Sequence, residues 1–200
     1  MTVEMTALNA NDMVLSQQIE NLLVQKNLRG MKDLQEVLKP GYYLRAARIL
    51  NGCKGTVLIG TGFPVADTFE TDGPLGAIAL YQTLAKLGAN PVLVCGAPLA
   101  PALADDFTVY EITVGDLTTA EAETRNALAE LKPELIISIE RPGLSETGKY
   151  FNMRGEDIGP CCACFDYFLR LAKCPTIAIG DGGNEIGMGN LKDAVDKLDI

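Results

Sequence analysis

The sequence predicts a three-layer α/β/α fold with a mainly parallel sheet and an N-terminal helical extension. From Thr56 onward, short apolar runs alternate with longer segments of helical periodicity, as in parallel β-α-β units. The apolar runs are continuous rather than interrupted by polar residues, which is typical of strands covered on both faces. Only helical patterns occur before Thr56. We therefore expect residues 1–52 to form a helical segment packed on the core, and residues 53–200 to form an α/β domain that carries the site.

The N-terminal segment predicts three helices and carries no chemical motif. The first is expected to be capped by Asp12 and to continue to about Asn27. A second short helix is predicted over Met31–Leu38, and a third over Tyr42–Leu50 after a Pro-Gly break. We expect this segment to act as a cap or an interface on the sheet. The apolar positions that share one face of the first helix are Leu15, Ile19, Leu22 and Leu23.

Apolar runs after residue 53 predict strands, and the segments between them predict helices. The run that begins at Thr176 is rich in β-branched residues and is expected to be a buried strand. The predicted strands are Thr56–Gly60, Pro91–Cys95, Phe107–Ile112, Leu135–Glu140 and Thr176–Gly180. The predicted helices are Gly73–Leu87, Pro98–Ala104, Thr118–Leu131 and Pro160–Lys173.

Composition excludes several classes of function. The net charge of −9 and the pI near 4.5 argue against nucleic acid or an anionic membrane as a partner. The chain contains no histidine, which excludes Ser-His-Asp and Cys-His catalysis and the histidine zinc motif. No basic leader precedes an apolar run, and no apolar segment reaches membrane-spanning length. We therefore expect a cytoplasmic protein that acts on a small molecule, and homo-oligomerisation stays open.

The six cysteines are expected to be thiols, because no secretion signal is found. A cluster of them falls in the predicted helix Pro160–Lys173, where cysteine more often acts as a small buried apolar residue. A structural zinc site is the alternative. Its ligands would be Cys161, Cys164 and Cys174, with Cys53, Cys95 or an acid as the fourth.

A glycine-rich loop directly follows the last predicted strand. Five glycines occur in ten positions from Gly180 to Gly189, a density that indicates positive φ angles or a backbone lying close to a ligand. Asp181, Asn184 and Glu185 lie among these glycines. The loop lacks the lysine of a P-loop and the third glycine of a dinucleotide fingerprint, so it suits a divalent cation or a substrate amine better than a phosphate. The alternative is a strand-to-helix turn with solvated acids.

Two further polar loops follow predicted strand ends, where open α/β sheets bind ligands. In Glu70–Pro74, two acids precede a helix, and Asp72 either caps that helix or faces a ligand. The second loop, Glu140–Asp157, begins with a carboxylate at the end of a buried strand, which is costly unless the carboxylate is paired or bound to a metal. The alternative is an ordinary mobile loop with solvated charges. In this second loop, Arg141 and Arg154 are candidates for binding a substrate carboxylate, and Lys149 and Tyr150 are candidate proton donors.

Four motifs together resemble those of the D-glutamate cyclase family. They are Glu70-Thr-Asp-Gly-Pro74, Ile139-Glu-Arg-Pro-Gly143, Asn152-Met-Arg-Gly155 and Gly180-Asp-Gly-Gly-Asn-Glu-Ile-Gly-Met-Gly-Asn190. The resemblance covers about residues 56–190. It implies the conversion of D-glutamate to 5-oxo-D-proline and water, an α/β domain akin to metal-dependent phosphoesterases, and a manganese-like divalent ion. Members of the family usually continue well beyond the last motif, into a part where further strands and substrate contacts would lie, and whether residues follow Ile200 stays open.

The resulting hypothesis is a lyase in which the substrate amine attacks its own γ-carboxyl carbon and an oxygen leaves as water. Mn²⁺ or Mg²⁺ would polarise that carboxyl group. The predicted metal ligands are Asp72, Glu140, Asp181 and Glu185. The predicted catalytic residues are Asp181, Glu185, Glu140 and Lys149. The predicted substrate-binding residues are Arg141, Arg154, Asn152, Asn184, Gly182, Gly183 and Thr71.

Two other functions use the same loops. The first is a metal-dependent phosphohydrolase, because several acids on loops at strand ends also suit the hydrolysis of a phosphate ester. The second is a non-catalytic domain that binds a small anion or assembles with another chain. Release of phosphate from simple esters would favour the first, and failure of the folded protein to bind a metal would favour the second.

Overall fold

The computed structural model describes residues 9–27 and 29–198. These residues form two compact units, which are treated separately below. One unit contains the described residues up to Gly52 together with those from Leu191 on, and the other is Cys53–Asn190. No helix in the described ranges is both long enough and apolar enough to cross a membrane.

The elements follow one another in the order that the sequence predicts, with two short strands added after β1 and one short helix added after residue 190. The helices are α1 (Ala10–Leu23), α2 (Met31–Gln35), α3 (Tyr42–Gly52), α4 (Asp72–Lys86), α5 (Leu99–Leu103), α6 (Leu117–Leu131), α7 (Asp166–Arg170) and α8 (Lys192–Val195). The strands are β1 (Thr56–Gly60), β2 (Pro64–Val65), β3 (Thr68–Phe69), β4 (Asn90–Cys95), β5 (Val109–Glu111), β6 (Leu135–Ile139) and β7 (Thr176–Ile179).

Helix α1 buries a polar face, which reverses the orientation expected from its apolar spacing. Asn9 rather than Asp12 caps the helix, through a bond of 3.1 Å from the Asn11 N–H to Asn9 Oδ1. Ser16 and Glu20 are its buried residues. The four predicted apolar positions do share a face, but that face is 40 to 67% exposed. Among the described residues, these four side chains are therefore not part of the core.

The buried carboxylate of Glu20 explains this orientation. It accepts hydrogen bonds from the Ser16 hydroxyl (2.7 Å) and from the backbone N–H groups of Gly41 (3.3 Å) and Tyr43 (3.4 Å). The Ser16 hydroxyl accepts a further bond from the Leu44 N–H (3.1 Å). The first N–H groups of a helix have no partner within it, so two α1 side chains supply the partners that α3 lacks.

We expect Glu20→Ala to lower the free energy of unfolding by about 2 kcal/mol, because it leaves the N-terminal N–H groups of α3 buried without their acceptor. Urea titration measures the change. Glu36→Ala removes an exposed glutamate from the same unit and should change stability by less than about 0.5 kcal/mol. Equal unfolding midpoints for the two variants would contradict the assigned role of Glu20.

The Cys53–Asn190 unit is built on a five-stranded parallel sheet in the order β5-β4-β1-β6-β7. Ile59 of β1 pairs with Leu93 of β4 on one side and with Ile137 of β6 on the other. These three residues are fully buried, as expected for strands in the middle of a sheet that helices flank. The predicted α/β fold with a mainly parallel sheet is confirmed. The antiparallel pair β2–β3, which lies between β1 and α4, was not predicted.

Strand β7 lies at one edge of the sheet and pairs only with β6 among the described strands. Of its four residues only Ile177 is half-buried, and Ile179 is 43% exposed. The expectation of a buried strand here is wrong, because β-branched composition favours a strand but does not decide whether the strand is central or at the edge.

The predicted helix Pro160–Lys173 is also wrong. Only a 3-10 turn over Gly159–Cys161 and the short α7 are helical. The chain between them crosses the end of β1, where Phe165 is fully buried and a Cβ at Gly60 would lie 2.3 Å from its ring. Phe165 stacks on Phe168 with ring centroids 4.8 Å apart. The helical periodicity of this segment does not take account of the contact between Phe165 and β1. Tertiary packing has therefore overridden the local helical pattern.

The strand order brings the polar loops to one edge of the sheet. In the chain, β1 is followed by β4, which lies on one side of it, and later by β6, which lies on the other. The order of strands therefore reverses at β1, and ligands of open α/β sheets bind beyond the carboxyl ends of strands at such a point. The loops after β1, β6 and β7 begin there with Thr61, Glu140 and Gly180.

Candidate functional site

Three carboxylates meet beyond the ends of β6 and β7. Glu140, Asp181 and Glu185 can each offer an oxygen such that all three oxygens lie within 4.8 Å of one another. We call these residues the acid cluster. It is the one group of three or more potential metal-ligating side chains in the described ranges. The sequence motifs predict a metal site at these same three residues.

Glu140 enters the acid cluster through an unusual backbone conformation. It directly follows β6, and its N–H donates to the Ile179 carbonyl (3.0 Å), which extends the sheet by one bond. Its φ of +46° lies in the left-handed region, which is uncommon for residues other than glycine. Such strain is often found at functional sites, where it directs a side chain.

Electrostatic crowding is strongest at Glu140. Burial raises the pKa of this carboxyl group to about 8, with further contributions from Asp181, Glu185, Asp72 and Glu70 in that order. A carboxylate whose charge is disfavoured by burial and by like charges is stabilised by a bound cation. The arrangement therefore suits a divalent metal ion.

Glycines let Glu185 fold back over the end of β7. A Cβ at Gly180 would lie 2.9 Å from the Cβ of Glu185, and a Cβ at Gly182 would lie 2.8 Å from Glu185 Oε1. Gly187 has a φ of +104° and crosses Ala178 so closely that a Cβ would lie 2.5 Å from the Ala178 Cβ. Glu185 is thereby buried, whereas Asp181 stays exposed.

Backbone bonds fasten this loop to the chain that follows β6. The Gly143 N–H donates to the Asn184 carbonyl (2.8 Å), and the Ile186 N–H donates to the Arg141 carbonyl (2.9 Å). The Asn184 side chain donates to the Phe151 carbonyl (2.9 Å), so its amide group holds the loop in place. Glu140 and Glu185 are therefore held at a fixed separation by the backbone.

The N-terminus of α4 lies against Glu140. A Cβ at Gly73 would lie 2.9 Å from the Cβ of Glu140, so only glycine allows this approach. Asp72 is the first residue of α4, and one of its oxygens accepts from the Gly73 N–H (2.8 Å). Thr71 is the N-cap residue, but its side chain makes no capping bond. The positive end of the helix dipole thus lies beside the acid cluster, where it favours negative charge.

Without a bound metal, the free energy of unfolding should fall as the pH rises from about 4.5 to about 8. The folded protein keeps the Glu140 proton in this window, whereas the unfolded chain releases it, so a higher pH favours unfolding. Because Glu140 is only half-buried, we expect a loss of about 1–2 kcal/mol. Thermal unfolding with a chelator should therefore show Glu140→Gln to be more stable than the wild type at pH 8, and equal to it near pH 4.5.

Glu111→Gln provides the matched control, because Glu111 also ends a strand of the sheet but is exposed. It should keep the pH dependence of the wild type. Loss of the pH dependence in both variants would show that it does not arise at Glu140.

Lys149, Asn152 and Arg154 lie on an exposed part of the loop after β6. Lys149 forms an ion pair with Asp157 (2.9 Å), and Asn152 Oδ1 accepts from the backbone N–H groups of Arg154 and Glu156. The contacts of Lys149 and Asn152 thus stay within this loop, outside the acid cluster. Their assigned roles in catalysis and substrate binding stay predictions.

Arg141 and Tyr150 are buried, and both bind other parts of the protein. The Arg141 guanidinium donates to the carbonyls of Thr61 (3.1 Å), Gly62 (2.7 Å) and Ala163. The Tyr150 hydroxyl donates to Asp166 (2.7 Å), and burial together with Asp166 raises the pKa of the Tyr150 hydroxyl far above its usual range. Tyr150 therefore fixes the loop rather than donating a proton to a substrate.

A cavity of about 270 Å³ is lined in part by Arg141, the residue after Glu140, and sequence reasoning missed this cavity. It lies beyond the ends of β1, β4 and β5, under the β2–β3 hairpin. The position of Thr61 and Gly62 at the reversal of strand order is a signal that could have found it. The cavity is lined by Thr61, Gly62, Pro64, Ala66, Asp67, Thr68, Phe69, Cys95, Gly96, Ala97, Pro98, Leu99, Val114, Arg141, Pro160, Cys161 and Ala163.

The cysteines behave mainly as small apolar residues. Cys162 and Cys164 are buried in a cluster with Ala120 and Tyr150, and burial raises the pKa of both thiols. Cys161 alone among the six is exposed.

Comparison with known proteins identifies the same family that the four sequence motifs resemble. The sequence model of the family described as D-glutamate cyclase-like, C-terminal, matches residues 19–200. A curated relative, the mitochondrial D-glutamate cyclase of Homo sapiens, is 31% identical over 189 residues. The match covers 83% of this chain but only 30% of the relative, so the chain spans about a third of that protein. The cytoplasmic location expected from the sequence stays a prediction. On the match over residues 19–200, the chain belongs to the D-glutamate cyclase-like family, in its C-terminal part.

Proposed function

We propose that this protein is a lyase that converts D-glutamate to 5-oxo-D-proline and water with the help of a divalent cation, Mn²⁺ or Mg²⁺. The convergence of Glu140, Asp181 and Glu185 carries the proposal, because these acids come from two of the motifs that resemble the cyclase family. Membership of the family and the name of the human relative support the same reaction.

The acid cluster fits a hard divalent cation. Its ligand atoms are carboxylate oxygens, which Mg²⁺ and Mn²⁺ prefer. Asp181 and Glu185 would hold the cation together with Glu140, whereas Asp72, also predicted as a ligand, is not part of this group of three. When bound, the cation would polarise the γ-carboxyl group of the substrate and offset the negative charge that develops on it.

The reaction requires two protons to move from nitrogen to oxygen. The substrate ammonium group loses two protons, its nitrogen forms a bond to the γ-carboxyl carbon, and one carboxyl oxygen leaves with those protons as water. We assign this transfer to Glu140, because its carboxyl group belongs to the acid cluster and a positioned carboxylate can take up and release protons. The chain must also hold the substrate folded back on itself, which supplies the orientational part of the rate gain.

The test is formation of 5-oxoproline from D-glutamate and from L-glutamate, measured by chromatography. The purified protein is assayed as isolated, after chelation, and after addition of Mn²⁺ or Mg²⁺. We expect product from the D isomer that disappears on chelation and returns with the cation. Absence of product in every condition would overturn the proposed reaction.

A phosphohydrolase is the second candidate, and the N-terminus of α4 favours it. A 15-residue helix that begins beside the acid cluster offers N–H groups and a positive dipole end, which suit a phosphate group. Release of phosphate from a simple aryl phosphate, with no loss of D-glutamate, would favour this reaction over the cyclase.

A further inference from the structure

The cavity beyond the ends of β1, β4 and β5 has a buried positive charge in its wall. Arg141, which lines it, is 3% exposed. All three of its hydrogen bonds go to backbone carbonyls, those of Thr61, Gly62 and Ala163. Its Nε has no partner in the described part of the chain. Burying a charged group is costly unless an opposite charge or a full set of hydrogen bonds compensates it. Among the residues that the structure describes, Arg141 thus has no ion-pair partner, and its Nε makes no hydrogen bond.

We propose that this cavity binds the α-carboxylate of the substrate, with Arg141 as its counter-ion. This inference rests on the proposed function, since it takes the substrate to be D-glutamate. Arg141 lines the cavity, and its hydrogen bonds go to neutral carbonyls. Guanidinium groups commonly bind carboxylates, so a carboxylate in the cavity would supply the counter-charge that Arg141 lacks among the described residues.

The size and lining of the cavity suit an amino acid. Its volume of about 270 Å³ is below the range of roughly 300–1,000 Å³ typical of sites for drug-sized molecules. Phe69, Leu99 and Val114 give it apolar walls, against which the methylene groups of a short side chain can pack. A metabolite that carries a carboxylate on a short aliphatic chain matches both properties.

The chain itself connects the cavity to the acid cluster. Arg141 directly follows Glu140 in the chain. The Thr61 hydroxyl and the Glu140 Cβ lie 3.3 Å and 2.9 Å from the same point, the position of a Cβ at Gly73. A glutamate bound by its α-carboxylate at Arg141 can therefore extend its γ-carboxyl group towards the acid cluster, where the cation would bind.

Cys161 allows occupancy of the cavity to be measured without any activity assay. It lines the cavity and is exposed, whereas the other five cysteines are buried or half-buried. The rate of its alkylation by iodoacetamide can be followed by peptide mass spectrometry. At ten times its dissociation constant, D-glutamate should slow this rate about tenfold, because the fraction of empty sites falls by that factor. Ethanolamine, which has no carboxylate, should have no effect.

A second ligand identifies which carboxylate binds. 4-Aminobutyrate keeps the amine and the γ-carboxylate but lacks the α-carboxylate. It should protect Cys161 at least about tenfold less well than D-glutamate, since a lost charged hydrogen-bonding group is commonly worth at least that factor. Equal protection by the two ligands would overturn the assignment of the α-carboxylate.

A charge variant at the cavity tests the counter-ion without altering Arg141. Asp67 is an exposed residue of the cavity lining, so its negative charge should oppose a bound carboxylate. Asp67→Asn should strengthen protection by D-glutamate a few-fold. Asp106→Asn removes an equal charge from an exposed loop outside the cavity and should leave protection unchanged.

The outcomes separate this inference from the proposed reaction. Protection of Cys161 without formation of 5-oxoproline would support the carboxylate site and overturn the reaction. Formation of 5-oxoproline without protection, at concentrations well above the KM of the reaction, would support the reaction and overturn the carboxylate site.

Discussion

Asp181→Asn is expected to abolish the formation of 5-oxoproline while leaving the protein folded. Asp181 is an exposed member of the acid cluster, so its replacement by an uncharged residue of the same shape leaves the core intact. The acid cluster loses one of its three carboxyl groups, and a divalent cation binds a neutral amide much more weakly than a carboxylate. We expect turnover to fall by about 10³-fold. Assay of the product and titration with Mn²⁺ measure the two effects.

Asp105→Asn is the control, because Asp105 is an exposed aspartate outside the acid cluster. It should retain the activity and the Mn²⁺ affinity of the wild type. Full activity of Asp181→Asn would remove Asp181 from the mechanism. An unchanged Mn²⁺ affinity with lost activity would instead assign Asp181 to a role other than holding the cation.

Gly73→Ala is expected to damage the site without damaging the helix that carries the substitution. The new Cβ would lie 2.9 Å from the Cβ of Glu140 and 3.3 Å from the Thr61 hydroxyl, so Glu140 must shift by several tenths of an ångström. Displacement of a reacting group by about 1 Å can cost about 10²-fold in rate. We therefore expect activity to fall by about ten- to a hundredfold, and the affinity for Mn²⁺ to fall with it.

Gly76→Ala, one turn further along α4, separates this effect from helix propensity. Its Cβ would meet only Ile139 Cγ2, at an ordinary contact distance of 3.8 Å. It should raise the free energy of unfolding by about 0.5–1 kcal/mol, as alanine normally does in place of helical glycine, and keep full activity. If both variants remained fully active, close packing of α4 on Glu140 would not matter for the site.

The central part of the site could be predicted from sequence because parallel strands end at one edge of a sheet. Glu140 and Asp181 each follow a predicted strand, and the glycines around Glu185 indicated a loop that folds back. The structure brings these three acids together. The pairing of β6 with β7 makes them neighbours, and the hydrophobic runs predicted that both strands exist, although not that they are adjacent.

Other features depended on partners distant in sequence. The polar face of α1 is buried because Glu20 caps α3, 21 residues or more further along, and periodicity alone cannot identify such a partner. The run after Pro160 is extended because Phe165 packs over Gly60. The carbonyls that bind Arg141 belong to residues 80, 79 and 22 positions away. In each case a tertiary contact decides the structure, and local propensity does not encode it.

Because β7 lies at the edge of the sheet, we expect a bound cation to oppose the local unfolding of this strand. With one sheet neighbour among the described strands and mostly exposed side chains, β7 should open at a lower free energy than β1, which lies between two neighbours. Asp181 and Glu185 directly follow β7, so opening of this strand disperses the acid cluster. At a concentration a hundred times its dissociation constant, the cation would then raise the free energy of opening by about 2.7 kcal/mol. Amide hydrogen exchange in β7 should therefore slow on addition of Mn²⁺, and exchange in β1 should change far less.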